Sequence, residues 1–505
     1  MVKKNMKNKT FRNLYIGIIL QLTTAICGII VPKLILQYYG SSINGLIVSI
    51  SQLISYLALV EGGVGSVATV ALYLPLVNKD ENKINSILSA ASSLYKKTGL
   101  IYLCLVVIIG LIYPLFVMGQ IDSVLVAIMF YILSASNLVD YLFLGKYKVL
   151  LSADERLYIV NFSQIVLLIL NTLFSIILIL NHANIILVKS VNIIICVIRF
   201  ILIKKYCKGK YLNLSFKVAP DYTQLSERWD SLIHQIVAII VGNTDVFLIT
   251  ILMGTRSLLE VSVYSVYNMV FVALSGIFAT LSSSLQAYFG KLISTMSKSL
   301  TNKYILFESL FYPCLFLIFC VTASLIMPFI GLYTENVTDT NYYRPLVAVV
   351  FVFNAVIQNI RIPGITIICA AGKFKETRNR AILEAIINLV VSIVLIPKLG
   401  ILGALVGTSC SYLYRTLDVL IYSRKLIPDY SQLFTFKLLF INMLLFIVVY
   451  FINTLLNSYL KISCWFNWII AGFLNICVGL IIFLVLNLFL NKYLKDIFKE
   501  KRGLK

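Results

Sequence analysis

Charge is what this sequence has least of. Of its 505 residues 13% are charged, about half the share usual in soluble domains, while 60% are hydrophobic. Acids are rarer than bases: 21 Asp and Glu stand against 43 Lys and Arg, a formal net charge of +22. No long stretch has the mixed composition of a soluble domain, so a soluble catalytic module is excluded. Histidine occurs only twice, at His182 and His234, and neither has metal-ligating companions at suitable spacing. The ten cysteines form no CxxC pair; most sit inside apolar runs, as Cys27, Cys104, Cys196, Cys369 and Cys410 do, and read as small core residues. The sequence also lacks a GxxxxGK[ST] motif to cradle nucleotide phosphates, which argues against a primary pump. The basic excess lies between hydrophobic segments instead of gathering on one soluble face, so nucleic acid is not an expected partner.

What the chain has is apolar runs of membrane-spanning length. Fourteen are read, at 11–38, 43–77, 84–118, 124–151, 157–180, 185–206, 230–253, 261–292, 304–332, 345–371, 381–396, 401–426, 433–456 and 465–489. The expected fold class is an all-α polytopic membrane protein with about 14 transmembrane helices. Lys3, Lys4, Lys7 and Lys9 before the first run resemble a signal peptide. That run continues to Tyr38 without a small-residue cleavage site, so it reads as a retained helix. With the N-terminus inside, all but seven of the 43 basic residues fall on cytoplasmic ends and loops, as the positive-inside rule favours. Both termini are then expected in the cytoplasm, in a multi-pass membrane protein. The outer connections are short, and none could hold a catalytic domain.

The chain also repeats itself. An offset of 214 carries Gly28 onto Gly242, Gly40 onto Gly254, Gly62 onto Gly276 and Pro114 onto Pro328. An offset of 217 carries the run from Asn171 onto the run from Asn388. Six spans per copy is an even number, so both copies enter the membrane in the same direction. This divides the chain into an N-terminal six-helix lobe (1–206), a basic cytoplasmic linker (207–228), a C-terminal six-helix lobe (229–426), and two additional helices with a basic tail (427–505).

The second span is the most distinctive. It reads INGLIVSISQLISYLALVEGGVGSVATVALYLPLV, longer than a bilayer needs, so it is expected to bend at its glycines or project from the membrane, with Pro75 near its end. Glu61 lies in its middle, and a carboxylate at that depth costs on the order of 2.5–3.5 kcal/mol unless it faces protein or water. The core Glu61 to Gly65, then Leu72 to Leu76, then the turn Asn78 to Asp80, together with twelve duplicated spans and two extra helices, resembles the bacterial polysaccharide flippases. These are the O-antigen or repeat-unit translocases of the superfamily that also holds the multidrug extruders and lipid II flippases. Family members commonly carry Asp followed by Leu or Phe at the start of that core, so Glu61-Gly62 is a variant. The resemblance covers essentially the whole chain. It implies two parallel lobes around a central cavity and translocation of undecaprenyl-pyrophosphate-linked oligosaccharide by alternating access, with ion coupling. A polymerase and a chain-length regulator are the implied partners, beside membrane lipids; no cofactor or metal is implied. A sugar-pyrophosphate cannot cross hydrocarbon unaided, whereas its lipid tail never needs to leave it.

Seven basic residues fall outside the cytoplasmic set: Lys33, Lys189, Arg256, Arg344, Arg361, Lys398 and Lys461. Four of them flank outer connections and read as solvated surface. Lys189 reads as snorkelling to the outer interface, and Lys33, about ten ångströms below it, either snorkels or contacts the head group. Arg361, just before Ile362-Pro363-Gly364, is the preferred phosphate contact, because a broken helix there would expose backbone beside a bidentate guanidinium. Arg199 and Arg415 hold similar places in the sixth and twelfth spans, where positive-inside anchoring competes with a basic vestibule for the substrate. The intramembrane acids are Glu61, Asp140, Asp245, Glu308, Glu384 and Asp418; Glu61, Asp140 and Asp245 are the ion-coupling candidates, against internal salt bridges for each. Lys33 and Asp245 lie at nearly one depth, but two residues of register, roughly 200° of helix, separate Asp245 from the repeat position that would pair them. Tyr264 and Tyr267 are possible sugar-stacking residues, and His234 reads as a hydrogen-bonded helix residue. Two other functions are weighed. A drug or cation antiporter of the same superfamily normally has twelve spans, and a polymerase or ligase normally has a large outer loop.

Overall fold

A segment inside hydrocarbon has no water to bond its backbone, so it must satisfy its own amides, and a lone segment does so as a helix. The computed structural model describes residues 2–61, 63–211, 213–216, 218–222, 228–295, 299–428 and 430–490, and among them every regular element is helical. In chain order these are α1 (Val2–Leu57), α2 (Val64–Asn78), α3 (Glu81–Phe116), α4 (Ser123–Val139), α5 (Gly145–Ala153), α6 (Leu157–Leu180), α7 (Ile185–Lys210) and α8 (Arg228–Leu252). Then come α9 (Ser257–Ser294), α10 (Leu300–Tyr333), α11 (Pro345–Ile360), α12 (Ile362–Ala370), α13 (Phe374–Leu399), α14 (Ile401–Arg424), α15 (Gln432–Leu460) and α16 (Trp465–Leu490).

Among the described residues eleven runs are long and apolar enough to cross a membrane. The first of them, Tyr15–Glu61, makes two passes, because α1 leaves helical geometry at Gly40 (φ 82°, ψ 172°). The contacts on either side show the reversal. Asn13 donates to the Glu155 carbonyl at one end of the bundle, and Tyr39 to the Ala183 carbonyl at the other. Beyond Gly40 the order inverts: Ser49 receives the Tyr113 hydroxyl near the end of α3, and Glu61 the Tyr95 hydroxyl nearer its start. With α8 and α14 the described residues make fourteen passes.

The duplication is visible in the backbone. Gly40 and Gly254, paired by the offset of 214, both adopt positive φ (82° and 59°) at the end of the first helix of each copy, where a side chain would be strained. Pro114 and Pro328 both lie inside helices, in the last turns of α3 and α10. The fourth pass of each copy is broken: a π-helical turn at Asp140–Leu144 joins α4 to α5, and Arg361 interrupts α11 and α12. The copies differ at the second pass. In the first, a 3-10 turn (Ala58–Glu61) and left-handed Gly63 (φ 70°) split α1 from α2, and α2 runs past Pro75 to Asn78; in the second, α9 is continuous through Gly276. Gly62 lies outside the described residues.

The chain forms two compact units, Met1–Ser265 and Val266–Lys505. In the first, Ile35, Leu46, Ile50, Tyr102, Met129 and Phe130 form the centre of a core that reaches Leu258 on α9. In the second, α13 and α14 meet closely enough that a Cβ on Gly403 would lie 2.4 Å from the Leu395 carbonyl. Lipid is as apolar as a leucine face, so apolar area alone does not fasten one membrane helix to another. The last two helices are accordingly held by amides. Asn442 and Asn487 join α15 to α16, Asn475 donates to Asn457 (3.1 Å), and Asn457 and Trp468 donate to the Ser324 and Leu325 carbonyls of α10.

Candidate functional site

Charges inside membrane helices must find partners or water. In the first unit two sites do this. Asp140, at the start of the π turn, is paired with Lys148 (2.5 Å) on α5 and Arg199 (4.0 Å) on α7. Arg199 is 6% exposed and also donates to the Ser163 hydroxyl (3.0 Å) and the Val160 carbonyl of α6. The π turn is part of this geometry, since its extra residue shifts the helix face on which Asp140 and Lys148, eight positions apart, come together. Two cations thus surround one carboxylate.

Glu61 ends the 3-10 turn and accepts the Tyr95 hydroxyl at 2.7 Å. Two glycines make room for this contact. A Cβ on Gly65 would lie 2.8 Å from both the Glu61 carboxylate and the Tyr95 hydroxyl, and one on Gly145 would lie 2.7 Å from the Tyr95 ring. Tyr141 reaches the Ala58 carbonyl of the same turn (3.5 Å). The glycines of the second span therefore do more than bend it: Gly65 admits the acid's partner.

From the Gly40 end of the first unit toward its middle runs a seal of neutral hydrogen bonds between α1, α8 and the start of α9. Asn44 donates to Ser262 (2.8 Å), Ser49 pairs with Thr250 (2.8 Å), and Tyr56 pairs with Thr244 (3.0 Å). Gln120 holds the α8–α9 turn from the loop after α3: its oxygen accepts from the Leu258 amide, and its amide donates to the Gly254 carbonyl and the Ser257 hydroxyl, each at 3.0 Å. Gly45 allows the approach, since a Cβ there would lie 1.9 Å from the Leu258 carbonyl oxygen. Asp245 accepts the Tyr264 hydroxyl (3.0 Å) within this region.

In the second unit the charges form one chain. Arg361, at the α11–α12 break, donates to Glu384 on α13 (2.5 Å) and lies 5.0 Å over the Tyr412 ring. Glu384 also faces Arg415 of α14 (3.6 Å), Arg415 pairs with Asp418 one turn on (2.6 Å), and Asp418 with Arg380 (2.5 Å). Three guanidinium groups are arrayed on two carboxylates. Arg199 and Arg415, 216 positions apart, are placed alike: each is largely buried and faces an acid on a neighbouring helix, Asp140 and Glu384.

Lys33 lies half-buried beside Pro32, and Lys189 half-buried in the second turn of α7. Tyr267 is committed to the fold: it donates to the Tyr342 carbonyl (2.6 Å), receives the Arg344 amide (3.0 Å) and stacks on Phe351. His182 is exposed and packs on Tyr38, and the His234 side chain lies outside the described residues. Among the described residues no group of three or more His, Cys, Asp or Glu is disposed to hold a metal ion. Sequence reasoning missed Lys148, Arg380, Tyr95 and the whole seal. Ser49 and Tyr56, seven residues apart on one helical face, were the available signal for the seal. Outside the spans, Asp154 accepts from Arg156 and from Tyr211 (2.6 Å each), and burial followed by the Asp154 charge pushes the Tyr211 hydroxyl above its ordinary value.

No family model and no curated protein matches the chain. Solved structures do. The lipid II flippase MurJ, in an inward closed conformation, is similar with a TM-score of 0.67 at 16% identity, over 96% of this chain and 99% of that one. An inward-facing multidrug resistance MATE family transporter of the MOP superfamily is similar with a TM-score of 0.60 at 10% identity, over 82% of this chain and 99% of that one. A eukaryotic MATE transporter gives 0.56 at 13% identity, over 86% and 99%. At these identities the likeness is one of fold, and this chain has the fold that the flippase and the two MATE structures share.

Proposed function

We propose that this chain is a flippase that carries undecaprenyl-pyrophosphate-linked oligosaccharide repeat units across the bacterial cytoplasmic membrane by alternating access, with ion coupling and both termini in the cytoplasm. The observation that carries this reading is the extent of the likeness to MurJ. That lipid II flippase covers 96% of the chain, whereas the two MATE structures cover 82% and 86% and leave a length comparable to α15 and α16 unmatched. A lipid-linked substrate is therefore favoured over a soluble drug. The intramembrane charge agrees with an anionic head group, since each unit holds one more cation than acid in its cluster, Lys148 and Arg199 around Asp140, and three arginines around Glu384 and Asp418. Arg361, Lys33, Arg199 and Arg415 are the proposed head-group contacts, with Glu61, Asp140 and Asp245 as proposed coupling acids. The neutral seal of Asn44, Ser49 and Tyr56 suits a gate on the outer side, because exchanging such hydrogen bonds for water changes the free energy by only about 0.5–1.5 kcal/mol apiece. A polysaccharide polymerase and a chain-length regulator would act on the product. Deleting the gene should trap lipid-linked repeat units on the cytoplasmic side; unimpaired polymer export in the deletion strain would sink the proposal. Undiminished export by a stably inserted Arg361→Ala variant would remove that residue as a head-group contact.

A further inference from the structure

The intramembrane acids divide by the company they keep. Asp140, Glu384 and Asp418 face cations. Glu308 does not. It is 1% exposed, in the third turn of α10, and among the described residues it makes no ion pair. Its neighbours are hydroxyls: Tyr430, from the connection between α14 and α15, and Thr435, at the start of α15 (2.9 Å), both on Oε2, and Tyr312, one turn along α10, on Oε1 (3.3 Å). The Tyr312 hydroxyl is also 3.3 Å from the Ile360 carbonyl, at the end of α11 beside the Arg361 break. Among the described residues the titratable groups facing Glu308 are thus Tyr304 and Tyr312 on its own helix and Tyr430 above it. Among the described residues the helices packed against α10 there bring no charge to Glu308: α11 presents the Ile360 carbonyl, α15 presents Thr435, and α9 approaches Tyr304 through Phe289.

We propose that Glu308 is a proton-exchanging group of this transporter, binding one proton in the arrangement seen here and releasing it when the α14–α15 connection moves off α10. The proposal rests on the flippase reading for its role in transport, but the exchange itself does not. A lone carboxylate sealed from water is costly, and a carboxylic acid in the same place is not. The cage suits both states. In the acid, Oε2 accepts from Tyr430 and Thr435, the proton on Oε1 is donated to the Tyr312 oxygen, and Tyr312 donates to the Ile360 carbonyl. On release, the O–H bond of Oε1 breaks, the proton passes to water, the electron pair stays on the carboxylate, and Tyr312 turns its O–H from Ile360 to Oε1. The oxygens touch one another at hydrogen-bond distance, so a proton fits between them where a sodium ion would have to push them apart. Water has a short way to come. Glu308 lies eight residues from Leu300, about 12 Å along the helix axis, under a connection tied to the first turn of α10 by the bond from Thr301 to the Pro428 carbonyl (2.6 Å).

Glu308→Gln mimics the acid in shape and can keep the Tyr312 contact. In proteoliposomes, infrared difference spectra of the wild type between acid and alkaline buffer should contain a protonated-carboxyl band that E308Q lacks. E308Q should melt at the wild-type temperature yet lose at least tenfold in transport of lipid-linked oligosaccharide driven by a pH gradient. Should E308Q fail to accumulate, Glu308→Asp, which keeps a titratable group, should retain the band at a shifted frequency. The proposal is overturned if no pH-dependent band is lost in the variant, if the band responds to sodium instead of pH, or if E308Q keeps the full response to the pH gradient. Should the wild type move no oligosaccharide lipid at all, the flippase reading falls, and the infrared spectra alone still decide whether Glu308 exchanges a proton.

Discussion

Replacing Gly45 with Ala tests the seal where it is tightest. The added Cβ would lie 1.9 Å from the Leu258 carbonyl oxygen, 2.7 Å from its carbon and 3.1 Å from its Cα, all of them backbone atoms that cannot swing away. Ordinary contact begins near 3.4 Å, so α1 and the start of α9 must separate by about 1.5 Å. The neighbouring bonds from Asn44 to Ser262 and from Ser49 to Thr250, both 2.8 Å, cannot survive such a shift unchanged. Overpacking of this kind costs roughly 1–3 kcal/mol. An arrangement with these helices apart does not bear that cost, so the closed-to-open ratio should fall by a factor of about 5 to 150. The assay is the rate at which a membrane-impermeant maleimide, added outside cells, labels Ser49→Cys in a background with the native cysteines removed. Gly28→Ala is the control, because a Cβ there meets nothing within 4 Å. The expected result is faster labelling with G45A and no change with G28A. Equal rates in G45A and the control, in protein of equal abundance and melting temperature, would refute the assignment of this contact as a gate.

Three further outcomes follow from the packing. Arg361→Ala leaves Glu384 with only the 3.6 Å contact to Arg415, and breaking a buried pair costs up to about 3–5 kcal/mol, so the melting temperature in detergent should drop; adding Glu384→Gln should recover much of it, and a double variant no better than the single one would contradict the pairing. Tyr95→Phe removes the 2.7 Å bond to Glu61, worth roughly 1.5–3 kcal/mol for a charged acceptor, and Gly65→Ala intrudes on both partners; the two variants should show the same export defect in a complementation assay, and one normal beside one defective would separate them. Gly403→Ala drives a methyl into the Leu395 carbonyl and should abolish monodisperse protein in gel filtration, whereas Gly290→Ala, whose Cβ would sit an ordinary 3.5 Å from its neighbour, should leave the elution profile intact.

The elements that sequence reasoning placed well are those set by local physics. Long uncharged runs must be helical in lipid whatever surrounds them, and Gly40 and Gly254 mark turns because only glycine enters that backbone region without strain. The helix breaks were legible only in part. Arg361 stands next to Pro363, a visible breaker, but its counterpart at Asp140–Leu144 contains neither Gly nor Pro, and a π turn driven by tertiary contacts leaves no such mark. Pairing among the charges followed the same division. Arg415 with Asp418 is a contact of three residues on one helix, readable from spacing alone. Asp140 with Arg199, or Glu384 with Arg361, depends on how separate helices are rotated about their axes, where a single residue of register turns a side chain by about 100°.

That dependence gives the acids their meaning as a set. In a membrane each carboxyl must be matched by a cation, by water, or by its own proton. Where a cation is present, as at Asp140, Glu384 and Asp418, the carboxylate has a charged partner, and removing either member would leave the other without its counter-charge. Where hydroxyls are the partners, as in the contacts described at Glu308, a proton can come and go without stranding a charge, because a hydroxyl serves as donor or acceptor by rotating. Glu308 is sealed, and for it the proton and the conformation are one variable.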